Sequence, residues 1–193
     1  MLLDPKLHRY MVYLKNEGFG PKDARLLLTK ARQIVEKYDI LIRDVRVSNR
    51  FIEFDISLGN VEDLEIIGSI FSFIGQFTDE YKVVEKDLKI EQSLILAKKF
   101  FNEEKYWITH ELLEGVWKKA NGDEKDLLNG LILVAAAFVH YQKNEKEIAL
   151  SIMRRALKKL TTANEKYFGI DVVSIKSQVS EMVKSSTIQN FAI

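Results

Sequence analysis

The sequence has 193 residues, is 47% hydrophobic and 30% charged, carries a formal net charge of +1 and contains no cysteine. That length suffices for one large or two small domains, and the composition is that of a globular chain rather than a disordered one. A near-neutral charge sets up no field that calls for nucleic acid or a membrane. The missing thiols exclude disulfides, cysteine nucleophiles and thiolate metal sites.

No apolar run approaches the roughly 20 residues that span a bilayer. Met1 to Tyr10 lacks the apolar core of a signal peptide. A cytoplasmic protein is therefore expected. Abundant Lys and Glu, with only two Pro, point toward a thermophilic or archaeal source.

In chain order, Leu7 to Lys15 alternates like a strand. Gly18 and Gly20 break it, and Pro21 stands at a first helical position with Asp23 in the first turn. Ala24, Leu27, Leu28, Ala31, Ile34 and Val35 then recur at helical spacing up to Tyr38. Ile40 to Ser48 reads as a strand whose first half has no clear register, because Ile40, Leu41 and Ile42 are consecutive. Phe51 to Leu58 alternates cleanly, with Ile52, Phe54, Ile56 and Leu58 on one face and Glu53, Asp55 and Ser57 on the other. Asn60 can cap a helix over Val61 to Phe73, and Tyr81 to Lys86 closes as a strand.

The order β-α-β-β-α-β over residues 1–87 predicts a ferredoxin-like split βαβ domain, a four-stranded antiparallel sheet with two helices on one face. Such sheets often bind RNA through aromatics on the open face. Here the open face would offer Phe51, Glu53 and Asp55, and residues 1–87 carry 13 basic against 15 acidic side chains. Carboxylates on a central strand repel phosphate, so nucleic acid is not the expected partner.

From Lys86–Glu91 onward the pattern is helical, giving an all-α bundle of four to five helices over residues 88–193. The expected helices are Ile90 to Phe101, Tyr106 to Ala120, Asp123 or Asp126 to Tyr141, Lys146 to Leu160, and Asp171 to Lys184. Asn121-Gly122 stops the second. The third is apolar nearly all round, as a central helix is. Phe168-Gly169 breaks the chain before the fifth. The last nine residues should fray. The whole is an α+β protein of two domains.

The chemistry concentrates in the second of these helices. Tyr106, His110, Leu113 and Trp117 form one helical stripe, with Glu114 beside His110 and Glu111 about 100° round. On the third helix Asn129, Leu133, Ala136 and His140 form another. Imidazole and carboxylate on an inward stripe must be paired or coordinated. His110, Glu114 and His140 could therefore hold a divalent metal in the bundle core. Alternatively, His110, Glu111 and Glu114 form a catalytic set in which a carboxylate orients the imidazole as general base. Tyr106, Trp107, Trp117 and Asn129 would line the pocket. The bland reading is a buried polar network that fixes helix register. HExxE lacks the second His of the zinc-protease motif HExxH.

These residues carry a resemblance. Tyr106-Trp107-x-x-His110-Glu111-x-Leu-Glu114-x-x-Trp117, followed by Leu128-Asn-Gly130-Leu131-Ile132-x-x-Ala135-Ala136-Ala137 and His140, resembles the domain of unknown function 309 family. The likeness spans roughly Leu94 to Leu160. It implies a small all-α domain of bacterial or archaeal type with no established activity. Asn129 stands where the family usually has Gln, and Leu133 where a second Gln is common. Two functions follow as expectations. One is a metal- or ligand-binding domain, hydrolase-like in its chemistry. The other is a non-catalytic module that self-associates. In either case a homodimer is the expected assembly.

Overall fold

The structure, a computed structural model, describes residues 8–84, 88–160 and 166–193. By its own contacts the chain forms two compact units, Met1–Lys86 with Gln142–Asn144, and Asp87–Tyr141 with Glu145–Ile193. The architecture is α+β, an antiparallel four-stranded sheet with helices followed by a helical region.

In the first unit, β1 (His8–Lys15) leads through a 3-10 turn at Pro21–Asp23 into α1 (Ala24–Val35). The Asp23 carboxylate accepts the Gly20 N–H at 2.8 Å, which fixes that start. Strands β2 (Ile40–Val47) and β3 (Phe51–Leu58) follow, then α2 (Asp63–Ile70) and β4 (Phe77–Lys82). The sheet order is β2-β3-β1-β4, all antiparallel, as the split βαβ pattern requires. One face packs Val12, Leu14, Ile52, Phe54 and Ile56 against Leu27 and Ala31 of α1 and Ile67 of α2.

Several boundaries differ from expectation. Helix α2 is shorter than Val61 to Phe73, although Ile67, Phe71 and Ile74 are buried at helical spacing. The last strand lies at Phe77–Lys82 rather than Tyr81 to Lys86, and residues 85–87 fall outside the described residues. The unclear register of β2 has a physical cause. A bulge between Ile42 and Asp44 inserts Arg43, so Ile40, Ile42, Val45 and Val47 all turn to the core. Arg32 of α1 holds the bulge by donating to the Ile42 and Arg43 carbonyls at 3.0 and 3.1 Å.

The second sheet face corrects the sequence reading. Glu53 and Asp55 do not lie on an open face: they are buried, together with Met11, Tyr13, Arg46 and Ser57. Strand register makes this tolerable. Arg46 and Tyr13 are the direct cross-strand partners of Glu53, and Met11 and Asp44 those of Asp55. The Arg46 guanidinium bonds Glu53 and lies 3.4 Å from Asp55 and 3.6 Å from Asp44. Arg9 adds a two-pronged contact to Asp55 at 2.9 and 2.6 Å. Burial disfavours the Arg46 charge, but Glu53, Asp55 and Asp44 outweigh it, so its pKa lies above the ordinary arginine value. Burial, then the Glu53 charge, likewise holds the Tyr13 phenol well above its usual range.

The second unit comprises α3 (Ile90–Asn102), α4 (Tyr106–Trp117), α5 (Gly122–Tyr141), α6 (Lys146–Lys159), the short hairpin β5 (Lys166–Tyr167) and β6 (Ile170–Asp171), and α7 (Val172–Ser185). Gly122, at φ +54°, makes the αL turn that Asn121-Gly122 announced, and α5 starts there. Phe168-Gly169, both at positive φ, is the hairpin turn rather than a plain break. The Asp171 carboxylate caps α7 by accepting the Ser174 N–H at 2.8 Å.

The last residues do not fray. Ile188 is buried, and the Phe191 ring lies 5.4 Å from that of Phe101 and 5.8 Å from that of Phe138. Asn102 brackets the Ile193 backbone, accepting its N–H at 2.8 Å and donating to its carbonyl at 3.3 Å. Among the described residues no helix is long and apolar enough to cross a membrane.

Removing Arg46 leaves Glu53 and Asp55 buried without their main counter-charge. Arg46→Met should therefore cost about 3–5 kcal/mol in urea-induced unfolding. A loss below about 1 kcal/mol would mean that the pairing contributes little to stability.

Candidate functional site

Helix α4 begins after a sharp turn in which Glu104 takes φ +65°. Its buried residues are Tyr106, Thr109, Leu113 and Val116, which form one stripe, and Ile108. The stripe expected from the sequence shares Tyr106 and Leu113 with it, but Thr109 and Val116 stand in the places given to His110 and Trp117. The reason lies in hydrogen-bond supply. The Thr109 hydroxyl sits 3.1 Å from the Lys105 carbonyl of the preceding turn and 3.4 Å from that of Ala97. A threonine can thus be satisfied by backbone alone, whereas a buried imidazole needs a dedicated partner.

His110, Glu111 and Glu114 consequently stand at the edge of the bundle. Their side chains keep 28%, 45% and 36% of their surface. The expected core position of His110 and Glu114 is corrected accordingly. The three do come together: one ligand atom from each lies within 4.8 Å of the others. His110 Nδ1 is 3.3 Å from Glu111 Oε1, and Glu114 is 3.7 Å from Lys118 Nζ one turn on. The set offers one imidazole nitrogen and two carboxylates from a single helix face.

His140 does not join them. It stands at the end of α5, where its Nδ1 meets Glu145 Oε2 at 2.5 Å. The group of His, Asp and Glu side chains found close together among the described residues is His110, Glu111 and Glu114, and His140 is not in it.

The expected pocket residues have other tasks. Tyr106 is buried in an aromatic cluster, stacked on Phe138 at 4.5 Å and edge-on to Phe101 at 4.9 Å. Its hydroxyl donates to Asn190 at 3.3 Å, and burial raises its phenol beyond the ordinary tyrosine range. Trp117 is half-buried with the Lys125 ammonium 4.6 Å above its ring. Trp107 and Asn129 are half-buried. A cavity in the helical unit, lined by Ala97, Phe101, Thr109, Leu113, Leu131 and Val134 among others, encloses about 10 Å³. That is room for one water at most. None of Tyr106, Trp107, Trp117 and Asn129 lines it, nor does any member of the triad. Thr109 and the ordered final segment are the features that sequence reasoning missed. The spacing of Thr109 to Tyr106 and Leu113 is a signal that could have found the first.

The model of the domain of unknown function family DUF309 matches residues 94–152. The likeness read from the HExLExxW pattern therefore holds for the helical part of the chain. A solved structure, that of a conserved hypothetical protein from Thermus thermophilus, is 27% identical to this chain. The match covers 47% of this chain and 95% of the other, with a TM-score of 0.42. No curated protein matches.

The offset of the buried stripe makes two expected outcomes. His110→Ala should move the unfolding free energy by no more than about 0.5 kcal/mol, whereas Leu113→Ala should cost about 2–5 kcal/mol. The reverse ranking in chemical denaturation would place the imidazole in the core after all. The second outcome concerns alkaline pH. An unfolded tyrosine ionises near pH 10, and the folded Tyr106 holds its proton to higher pH. Stability is thus fully present below about pH 10 and falls above it, as the unfolded chain alone loses the proton. Tyr106→Phe should flatten that fall in melting temperatures recorded between about pH 9 and 11. An unchanged slope would show that Tyr106 is not its source.

Proposed function

We propose that the helical unit is a divalent-metal-binding module, with His110, Glu111 and Glu114 as its ligands. The observation that carries this reading is the convergence of three donor atoms within 4.8 Å on one half-exposed helix face. Donors on one zinc-sized ion at about 2.1 Å sit roughly 3–4 Å apart, so small side-chain rotations close the set. Imidazole with carboxylates suits zinc, iron or manganese rather than calcium. Three protein donors leave positions open for water, a substrate oxygen or groups of another molecule. An open position filled by water is what hydrolase-like chemistry at this site would use.

The second reading, a self-associating module without metal, draws on exposed apolar side chains such as Ile95, Ile148, Phe168 and Val173. They are spread over α3, α6, the hairpin turn and α7, and scattered single apolar residues are ordinary on a surface. The triad is the more specific feature.

The test is isothermal titration of chelator-treated, tag-free protein with zinc and, separately, manganese. Expected is saturable binding of one ion per chain, weakened at least 10-fold by His110→Ala, which is about 1.4 kcal/mol. Absence of binding, or equal affinity in the variant, would end the metal reading.

A further inference from the structure

The final segment of the helical unit is held as a groove holds a peptide. Helix α7 ends at Ser185, Ser186 takes φ +51°, and Thr187–Ile193 then runs on without helix or strand. Ile188 is buried in the helical core and anchors the near end. Beyond it the chain meets α3, α4 and α5, whose Phe101, Tyr106 and Phe138 rings pack on one another. Phe191 sets its ring 5.4 Å from Phe101 and 5.8 Å from Phe138. Two residues on, Ile193 forms part of the cavity wall with Ala97, Phe101 and Thr109. Ala192, between them, is exposed. Alternation of this kind is the period of an extended chain recognised from one side.

The polar contacts have the same character. Asn102, the last residue of α3, accepts the Ile193 N–H at 2.8 Å and donates to the Ile193 carbonyl at 3.3 Å. A carboxamide that takes both backbone groups of one residue recognises peptide, whatever the side chain. The Tyr106 hydroxyl donates to Asn190 at 3.3 Å. Sockets for alternate side chains, with main-chain hydrogen bonds between them, are how extended peptides are bound.

Burial separates the segment from its seat. Phe101, Tyr106 and Phe138 are buried, whereas Phe191 and Ile193 are half-buried and Gln189 is exposed. A segment held through few buried contacts lifts at lower free energy than the domain unfolds. Lifting leaves the ring edges, the Asn102 amide and the Tyr106 hydroxyl facing the same groove. The occupant such a groove fits is apolar and uncharged, as Thr187–Ile193 is. A second copy's identical segment is a poor candidate, because the chain's own is tethered at an effective concentration on the order of millimolar. A partner that binds more tightly than the half-buried resident displaces it.

We propose that the groove over α3, α4 and α5 is a docking site for an extended segment of a partner protein, carrying an aromatic side chain and, two residues on, a branched aliphatic one. Gln189–Ile193 is the resident stand-in that the partner displaces. His110, Glu111 and Glu114 take no part in these contacts, so the site is independent of the metal reading.

The probe is a fluorescent peptide copying Gln189–Ile193, amidated at its C-terminus, titrated with the full-length chain and followed by anisotropy. Phe191→Ala weakens the resident segment and leaves the groove intact. It should bind the peptide at least about 10-fold more tightly than wild type does. A peptide with Ala in place of its Phe should bind neither protein. Adding Asn102→Ala to Phe191→Ala should remove the gain. No binding by Phe191→Ala, or equal binding of the two peptides, overturns the docking site. So does loss of helical circular dichroism in Phe191→Ala, which would make the segment an obligatory part of the fold. Light scattering closes the remaining route. Two chain masses for wild type, against one of 22.4 kDa for Phe191→Ala, would give the groove to a second copy and overturn the partner assigned here.

Discussion

The phase of α4 about its own axis is the constraint from which the rest of the helical unit follows. Helix α4 buries Tyr106, Thr109, Leu113 and Val116 along one stripe, and Ile108 beside it. A rotation of about 50° would bring His110 inward and put Thr109 at the edge. The choice between them is a hydrogen-bond choice. Thr109 draws on carbonyls of Lys105 and Ala97 that the backbone already presents, while an imidazole in its place would need a dedicated polar partner there. Once Thr109 is inside, Tyr106 reaches the Phe101–Phe138 cluster, and Phe191 from the final segment closes against the same rings. The polar triad is then necessarily at the rim, where water or an ion can reach it.

The first unit solves a harder version of the same problem. Arg46, Glu53 and Asp55 are charged and nearly out of water, and no local backbone group can neutralise them. Strand register does so instead, by setting Arg46 directly across from Glu53 and within reach of Asp55. A register slip of one residue would send these charges to the helix-covered face and Phe54 to the other. The ionic cluster therefore specifies pairing at least as much as it stabilises it. The Arg43 bulge serves the same end, since without it Val45 and Val47 would point away from the core.

Legibility in the sequence followed the kind of signal available. Elements with a clean period stand within a residue or two of where the sequence puts them: β3 by strict alternation, and α6 and α7 by their apolar stripes. What failed was everything set by non-local supply. That Glu53 and Asp55 are buried depends on a partner strand and on Arg9, which alternation alone does not reveal. That Ile188 to Ile193 are ordered depends on Asn102 and Phe101, some 90 residues earlier. For the site, the grouping of His110, Glu111 and Glu114 was readable from helical spacing, because it is internal to one helix. Its depth was not, because Thr109 and His110 lie on either side of the Tyr106–Leu113 line and the carbonyls of Lys105 and Ala97 decide between them. His140 was placed by the stripe of its own helix, which says nothing of what stands beside it, and Glu145 meets it locally.

A rim position changes what the triad can be asked to do. In a core, a His–Glu–Glu set would be bound to one fixed partner and would act as structure. At the rim the same groups are exchangeable, and their free energy depends on what is dissolved around them.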